Sequence, residues 1–118
     1  MSVNGVPFPI VDWRIDPHWP VKTFFNYVCE QGALADALES IIQRYAYAYN
    51  EEYFFFPDRD DPDPSFHFDG VTFGVSDEEV IINDQECWHY ARQAAQFCLE
   101  RNILDAVTFQ KIARSIPS

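Results

Sequence analysis

A segment rich in proline and aspartate, residues 57–64, sets the strongest limit on how this chain can fold. It reads PDRDDPDP. Proline has no backbone N–H to donate and fixes its own φ angle, so neither a helix nor a central strand can run through this stretch. The segment therefore separates two regions, and each must form its own helices and strands.

The region before this segment has mainly helical periodicity. Apolar residues recur at intervals of three and four over residues 21–29 and again over residues 34–49, which predicts two amphipathic helices joined near Gly32. Helices joined by a short turn usually pack against each other. A run of aromatic residues, 53–56, then predicts a strand that ends at Pro57.

The region after the segment alternates apolar and polar residues, as strands do. The alternation starts at Phe66 and Phe68, shifts its phase at Asp69-Gly70, and continues over residues 71–75. Such a shift predicts a bulge or a bend at the glycine. A further apolar run, residues 80–82, completes a predicted meander of three antiparallel strands together with the earlier aromatic run.

Two more helices are predicted downstream. Asn83 lies three residues before Glu86, which is the pattern of a capping box at the start of a helix. A long helix should follow, with a buried stripe that includes Cys87 and Ala91. A shorter helix should close the chain, with four apolar residues facing inward: Leu104, Val107, Ile112 and Ile116.

The length of the chain, 118 residues, is typical of one domain, which we expect to span residues 1–118. Residues 1–19 interleave prolines with apolar residues and predict an extended arm packed on the body. The predicted fold class is therefore α+β, with three to four helices packed with a small three-stranded antiparallel sheet.

The charge of the chain limits its partners. Eight Lys and Arg against 19 Asp and Glu leave a formal net charge of −11. Such a field repels nucleic acid and anionic membranes and steers basic partners towards the protein. A nucleic-acid-binding protein shows a clustered basic stripe, and here the basic residues are scattered. We expect no binding to nucleic acid or membrane, and the net charge alone is explained either by solubility or by a basic protein partner.

The cysteines and the N-terminus indicate the compartment. Cys29, Cys87 and Cys98 are odd in number and lack a CxxC spacing, which predicts small buried side chains in a reducing environment. The N-terminal residues show no basic region followed by an apolar core, and no stretch reaches the roughly 20 apolar residues of a membrane helix. We expect a cytoplasmic protein.

The spacing of the acidic and histidine residues argues against metal binding and catalysis. A calcium loop requires a glycine at its sixth position, but a loop that starts at Asp61 has Phe66 there. General acid–base catalysis needs two titrating groups that converge, and no local motif links any pair of histidines. The three histidines are His18, His67 and His89. We predict no catalytic residue, no metal ligand and no cofactor.

Acidic residues concentrate in two stretches beside the predicted strands. In a meander, these stretches lie at opposite ends of the middle strand and flank one sheet. Acidic groups around aromatic anchors are typical of fast, tight protein interfaces, although a solvated loop over an aromatic core is an equally good interpretation of the residues alone. The predicted partner-binding residues are Asp58, Asp60, Asp61, Asp63, Asp69, Asp77, Glu78, Glu79, Phe66 and Phe68.

Three neighbouring motifs, FDGVTFG at 68–74, EEVIIND at 78–84 and DQECWHYARQAAQFCLE at 84–100, resemble a known family. They are similar to the immunity proteins of contact-dependent growth inhibition (CDI) systems, the CdiI group. The resemblance covers residues 20–102 in order of elements, and its specific part is residues 68–98. It implies structural roles for most of the motif: Gly70 and Gly74 for backbone shape, and Val71, Phe73, Ile81, Trp88 and Tyr90 for the core.

The resemblance implies a non-enzymatic, cytosolic inhibitor. CdiI proteins are paired with toxins that include ribonucleases of the EndoU type, and they cover the active-site cleft or another essential surface. Because a nuclease cleft must be basic to hold phosphates, an acidic protein is the physically expected antagonist. Two alternatives stay open: an acidic adaptor domain of the SMI1/KNR4-like class that recognises another basic partner, and a small enzyme or metal protein.

Overall fold

Four helices and four strands are formed by the residues that the computed structural model describes, 5–101 and 106–116. In chain order they are α1 (Trp19–Glu30), α2 (Leu34–Gln43), β1 (Tyr47–Tyr49), β2 (Glu52–Phe55), β3 (Val71–Val75), β4 (Glu78–Ile82), α3 (Asp84–Glu100) and α4 (Ala106–Ser115). A single turn of 3-10 helix, Pro64–Phe66, lies between β2 and β3. The α+β class is confirmed, with one strand more than predicted.

The four strands form one antiparallel sheet in the order β1-β2-β3-β4, so each strand pairs with its neighbour in sequence. The helical side of this sheet, its inner face, carries the aromatic core. The Phe24 ring of α1 lies 5.3 Å from the Phe54 ring and 5.5 Å from the Phe73 ring. All three side chains are buried. The rings meet edge-on, which is a favourable arrangement for aromatic pairs, and this contact holds α1 across the middle of the sheet.

Helix α2 is shorter than predicted: it ends at Gln43, and Tyr49, which continues its apolar period, lies in β1. Arg44 ends the helix in the left-handed conformation, with φ of 60°. Tyr45 is 65% exposed. Tyr47 then pairs with Phe54, and their rings stack with centroids 5.9 Å apart. Aromatic residues suit a half-buried strand, and this cross-strand pair outweighs the helical pattern.

The predicted strand around Phe66 and Phe68 is wrong, because β3 begins only at Val71. Phe66 ends the 3-10 turn, and Asp63 caps that turn by accepting a hydrogen bond from the Ser65 backbone N–H. The predicted bend at the glycine is confirmed. Gly70 has φ of +101°, and a Cβ there would collide with the carbonyl oxygen of Ile82. Only glycine fits this close approach of two backbones.

The capping box of α3 is confirmed. Asn83 Oδ1 accepts a hydrogen bond from Glu86 N–H at 2.7 Å, and Glu86 Oε1 accepts one from Asn83 N–H at 3.0 Å. Each bond satisfies a backbone donor that the helix start would leave unpaired.

The predicted inward face of the last helix is partly confirmed. Ile112 and Ile116 are buried, whereas Val107 is 78% exposed. Val107 lies five residues before Ile112, which places it on the opposite side of a helix with 3.6 residues per turn. Leu104 lies outside the described residues. In the part of the chain that is described, no helix combines the length and apolar character needed to cross a bilayer.

Candidate partner-binding surface

The acidic loop, residues 57–70, folds back over the outer face of the sheet, the face turned away from α1. The Phe66 and Phe68 rings pack edge-on against Phe55 of β2, at centroid distances of 5.3 Å and 5.7 Å. Tyr53 stacks on the other side of this cluster, 6.0 Å from Phe55. Both predicted loop phenylalanines are half-buried. They therefore attach the loop to the sheet and offer only part of their rings to a partner.

Three of the five predicted loop aspartates serve the loop's own backbone. Asp58 Oδ1 accepts from the N–H of Asp60 at 3.1 Å, and Asp61 Oδ1 accepts from the N–H of Asp63 at 2.8 Å. Asp63 repeats the pattern with Ser65 at 3.0 Å. The hydrogen bonds from Ser65 hold the pKa of Asp63 below its usual value. Successive side-chain caps of this kind stiffen a segment that forms only turns.

The other two loop aspartates differ in their pairing. Asp69 Oδ1 lies 2.6 Å from Arg59 Nη2, and the same nitrogen donates to the carbonyl oxygen of Phe68 at 3.1 Å. Both side chains are largely exposed, so this ion pair contributes little stability. The Asp60 carboxylate has no hydrogen bond or ion pair to any described residue. Asp60 is thus the loop carboxylate most available to a partner.

The acidic turn, residues 76–79, consists of the two-residue connection from β3 to β4 and the first two residues of β4. Asp77 and Glu78 are exposed, and neither side chain has a partner within residues 5–101 and 106–116. Glu79 accepts a hydrogen bond from the Tyr53 hydroxyl. Burial, followed by this bond and the charge of Glu79, raises the pKa of Tyr53 to about 12. The carboxylates of Asp77 and Glu78 are therefore free, while that of Glu79 is occupied.

A glycine on the neighbouring strand explains the position of Tyr53. Tyr53 pairs with Gly74 across β2 and β3, and a Cβ on Gly74 would collide with the Tyr53 ring. The ring lies over the glycine and reaches Glu79, which pairs with Gly74 from the other side. A glycine inside a strand often marks such a close approach.

The loop and the turn lie at opposite ends of β3, as the meander predicted. A strand of five residues is about 17 Å long, so the chain enters and leaves β3 at points separated by roughly that distance. The outer face of the sheet lies between them. It includes Ile81, which pairs with Thr72 and is 54% exposed. The prediction that Ile81 is a core residue is wrong; its neighbour Ile82 is buried instead.

Comparison with protein families adds the observation that decides the class of this protein. The family described as "CDI immunity protein" matches residues 17–112. The chain belongs to this family. The matched range covers most of the chain and confirms the resemblance seen in residues 68–98. Comparison with curated proteins gave no match.

Membership in the CDI immunity family assigns the protein a role in toxin neutralisation, with a cognate toxin as its partner. The matched residues include both the acidic loop and the acidic turn. They begin at Pro17, so the preceding residues of the N-terminal segment are outside the match. The family match therefore assigns no role to those residues.

Two histidines of this immunity protein, His18 and His67, contact polar groups of other described residues. His18 Nδ1 lies 2.9 Å from the Tyr90 hydroxyl, and His18 Nε2 lies 3.8 Å from Glu86. His67 Nε2 lies 2.6 Å from the carbonyl oxygen of Asp61, within the acidic loop. Among the residues that the structure describes, no group of three or more His, Cys, Asp and Glu could hold a metal ion.

The three cysteines have free thiols. Cys87 and Cys98 are buried, as predicted, whereas Cys29 is only half-buried. Burial raises the pKa of the Cys87 thiol to about 12. Since the thiolate is the reactive form, Cys87 is unreactive at neutral pH.

Proposed function

We propose that this immunity protein neutralises its toxin by binding alone. In this proposal the toxin is a basic ribonuclease domain. The acidic loop and the acidic turn cover its substrate cleft or another essential surface. The protein acts in the cytoplasm, without a cofactor. The observation that carries the proposal is that the two acidic regions flank one sheet, and that within them the carboxylates of Asp60, Asp77 and Glu78 have no partner among the described residues.

The charge of the molecule supports a basic partner. A ribonuclease must hold phosphates in a positive cleft, and a net charge of −11 attracts such a surface over a distance of about one Debye length. Complementary charge raises the association rate and disfavours acidic competitors. In the complex, free carboxylates can also accept hydrogen bonds from Lys or Arg side chains of the toxin. Carboxylates that already have a partner within this protein form such bonds less readily.

The rigidity of the acidic loop supports tight binding. The side-chain caps from Asp58, Asp61 and Asp63 and the packing of two phenylalanines on Phe55 fix the loop before any partner arrives. A fixed loop loses less conformational entropy on binding than a mobile one. The loop therefore presents Asp60 in a defined position.

A binding and activity assay with the cognate toxin domain tests the proposal. We expect calorimetry to detect a tight complex whose affinity falls with added salt, and we expect the complex to abolish RNA cleavage. The absence of a complex, or a complex that leaves cleavage intact, would contradict the proposal. A toxin that binds but does not cleave RNA on its own would contradict only the ribonuclease assignment.

Charge reversal in the acidic loop and the acidic turn tests whether the acidic surface makes the contact. We expect the double variant Asp60→Lys with Asp77→Lys to weaken binding by about 100-fold, since it places two cations against a basic surface and leaves the caps of the loop in place. The matched control is Glu30→Lys with Glu39→Lys, which changes the net charge equally on exposed positions of α1 and α2. Equal losses in both variants would show that only net charge matters.

A further inference from the structure

A groove of about 480 Å³ follows the outer edge of β4. One wall is the N-terminal segment 13–17, and the other is the first half of β4. The apolar side chains of Trp13, Ile15 and Val80 line it together with the acidic residues Glu78 and Glu79. Trp13 is 69% exposed and Ile15 is 79% exposed. The groove thus combines exposed apolar surface with carboxylates.

The backbone of β4 is available on this side. β4 is the last strand of the sheet, and a two-residue turn joins it to β3, with Val75 paired to Glu78. The residue pair that flanks such a turn exchanges backbone hydrogen bonds, and hydrogen-bonded pairs alternate with non-hydrogen-bonded pairs along an antiparallel ladder. Glu79 and Ile81 are in non-hydrogen-bonded pairs, so their N–H and C=O groups point away from β3. Outside the sheet, no backbone hydrogen bond between described residues reaches β4.

The wall formed by the N-terminal segment is held in place by hydrogen bonds. The carbonyl oxygen of Asp12 accepts from the N–H groups of Ile15 and Asp16, at 3.2 Å and 2.9 Å. The Asp16 side chain accepts from His18 N–H at 2.9 Å and from Lys22 Nζ at 2.6 Å. The Lys22 hydrogen bond lowers the pKa of Asp16, so its carboxylate stays charged at neutral pH. The groove is therefore formed before a ligand binds.

We propose that an extended segment of the toxin lies in this groove as a fifth strand paired with β4, with a Lys or Arg side chain at Glu78 and an aliphatic side chain against Trp13. The inference rests on the proposed function and adds the place and geometry of contact. An open strand edge is a template for a further strand. Main-chain hydrogen bonds then supply affinity, and alternate side chains supply specificity.

Charge complementarity identifies the occupant. Glu78 has no partner among the described residues, and Asp77 beside it has none either. A second copy of this chain would bring the same carboxylates, and a net charge of −11, against themselves. Like charges opposite each other in neighbouring strands are destabilising. A basic segment of another protein removes this repulsion.

Amide hydrogen exchange of the complete protein, measured by NMR with and without the cognate toxin domain, tests the strand pairing. We expect the amides of Glu79 and Ile81 to exchange quickly in the free protein and at least tenfold more slowly in the complex. The amide of Val80, which faces β3, should be protected in both states and serves as the internal control. A complex in which Glu79 and Ile81 exchange as in the free protein would overturn the inference and leave the proposed function intact. If no complex forms, both fail.

A pair of variants on the N-terminal segment tests the apolar contact. We expect Trp13→Ala to weaken toxin binding by about 30-fold, because a Trp that fills an interface groove is a typical hot spot. Ile10→Ala is the control, since Ile10 precedes the segment 13–17, is 86% exposed and does not line the groove. Equal affinity of the Trp13→Ala variant and the parent would overturn the inference, as would self-association of the free protein through β4.

Discussion

The two ends of β3 are both acidic, but they hold their carboxylates in different ways. At the loop end, four of the five predicted aspartates already bind a backbone N–H or Arg59. At the turn end, Asp77 and Glu78 are without partners among the described residues. The number of acidic residues therefore does not measure how many carboxylates a partner can reach. Most loop carboxylates are bound within the loop and stabilise its conformation, whereas more of the turn carboxylates are available to a partner.

The largest expected effect concerns the glycine that directly precedes β3 at the loop end. We expect Gly70→Ala to lower the free energy of unfolding by at least about 3 kcal/mol, because it adds both a strained backbone angle and a clash with Ile82. Gly32→Ala is the matched control: Gly32 also has positive φ, but no atom lies near its Cβ position. It should cost only about 1 kcal/mol. Urea unfolding measures both, and equal costs would show that the clash is relieved by a shift of β4.

Local patterns predicted much of the fold. The capping box at Asn83 and Glu86 and the bend at Gly70 depend on neighbours within a few residues, and both were predicted correctly. β1 was missed, because Tyr45 and Tyr49 continue the helical period of α2. Only pairing with β2 decides between helix and strand, and that pairing is a tertiary contact.

The site was harder to predict for the same reason. The proline pattern located the acidic loop, but which of its carboxylates are free depends on Arg59 reaching Asp69 across ten residues. The groove depends on contact between residues 13–17 and β4, which are more than 60 positions apart in the sequence. No periodicity in a single chain encodes such distant contacts directly.

The second prediction compares free and occupied carboxylates in toxin binding. We expect Asp60→Ala and Glu78→Ala each to weaken affinity by about tenfold, and Asp69→Ala by about twofold, because Arg59 already neutralises Asp69. All three remove one negative charge, so the comparison is internally controlled. Surface plasmon resonance at two salt concentrations gives the rates. Similar losses in the three variants would mean that the acidic regions act only through the net field.

The third prediction concerns the one occupied carboxylate at the turn end. We expect Tyr53→Phe to cost about 0.5–1 kcal/mol, since it removes one exposed hydrogen bond to Glu79. The pKa of Tyr53 is raised to about 12 in the folded protein, so the unfolded chain loses this proton first and stability falls between pH 10 and pH 12. The variant should lose less stability over that range in urea unfolding. Tyr45→Phe, at a side chain that is 65% exposed, should change neither quantity.

The smallest expected effect tests whether the loop carboxylates serve the loop's shape. Asp63→Ala should increase amide exchange at Ser65, because the cap on the 3-10 turn is lost, whereas Asp63→Asn keeps an acceptor oxygen and should retain most of the protection. The pKa of Asp63 is lowered in the folded protein, so its contribution is complete above the ordinary carboxyl pKa and is lost as pH falls through the lowered value. The parent should therefore lose Ser65 protection in acid relative to the Asn variant. If the Ala variant protects Ser65 as well as the parent does, then packing of the phenylalanines on Phe55 shapes the loop, and Asp63 is as available to a partner as Asp60.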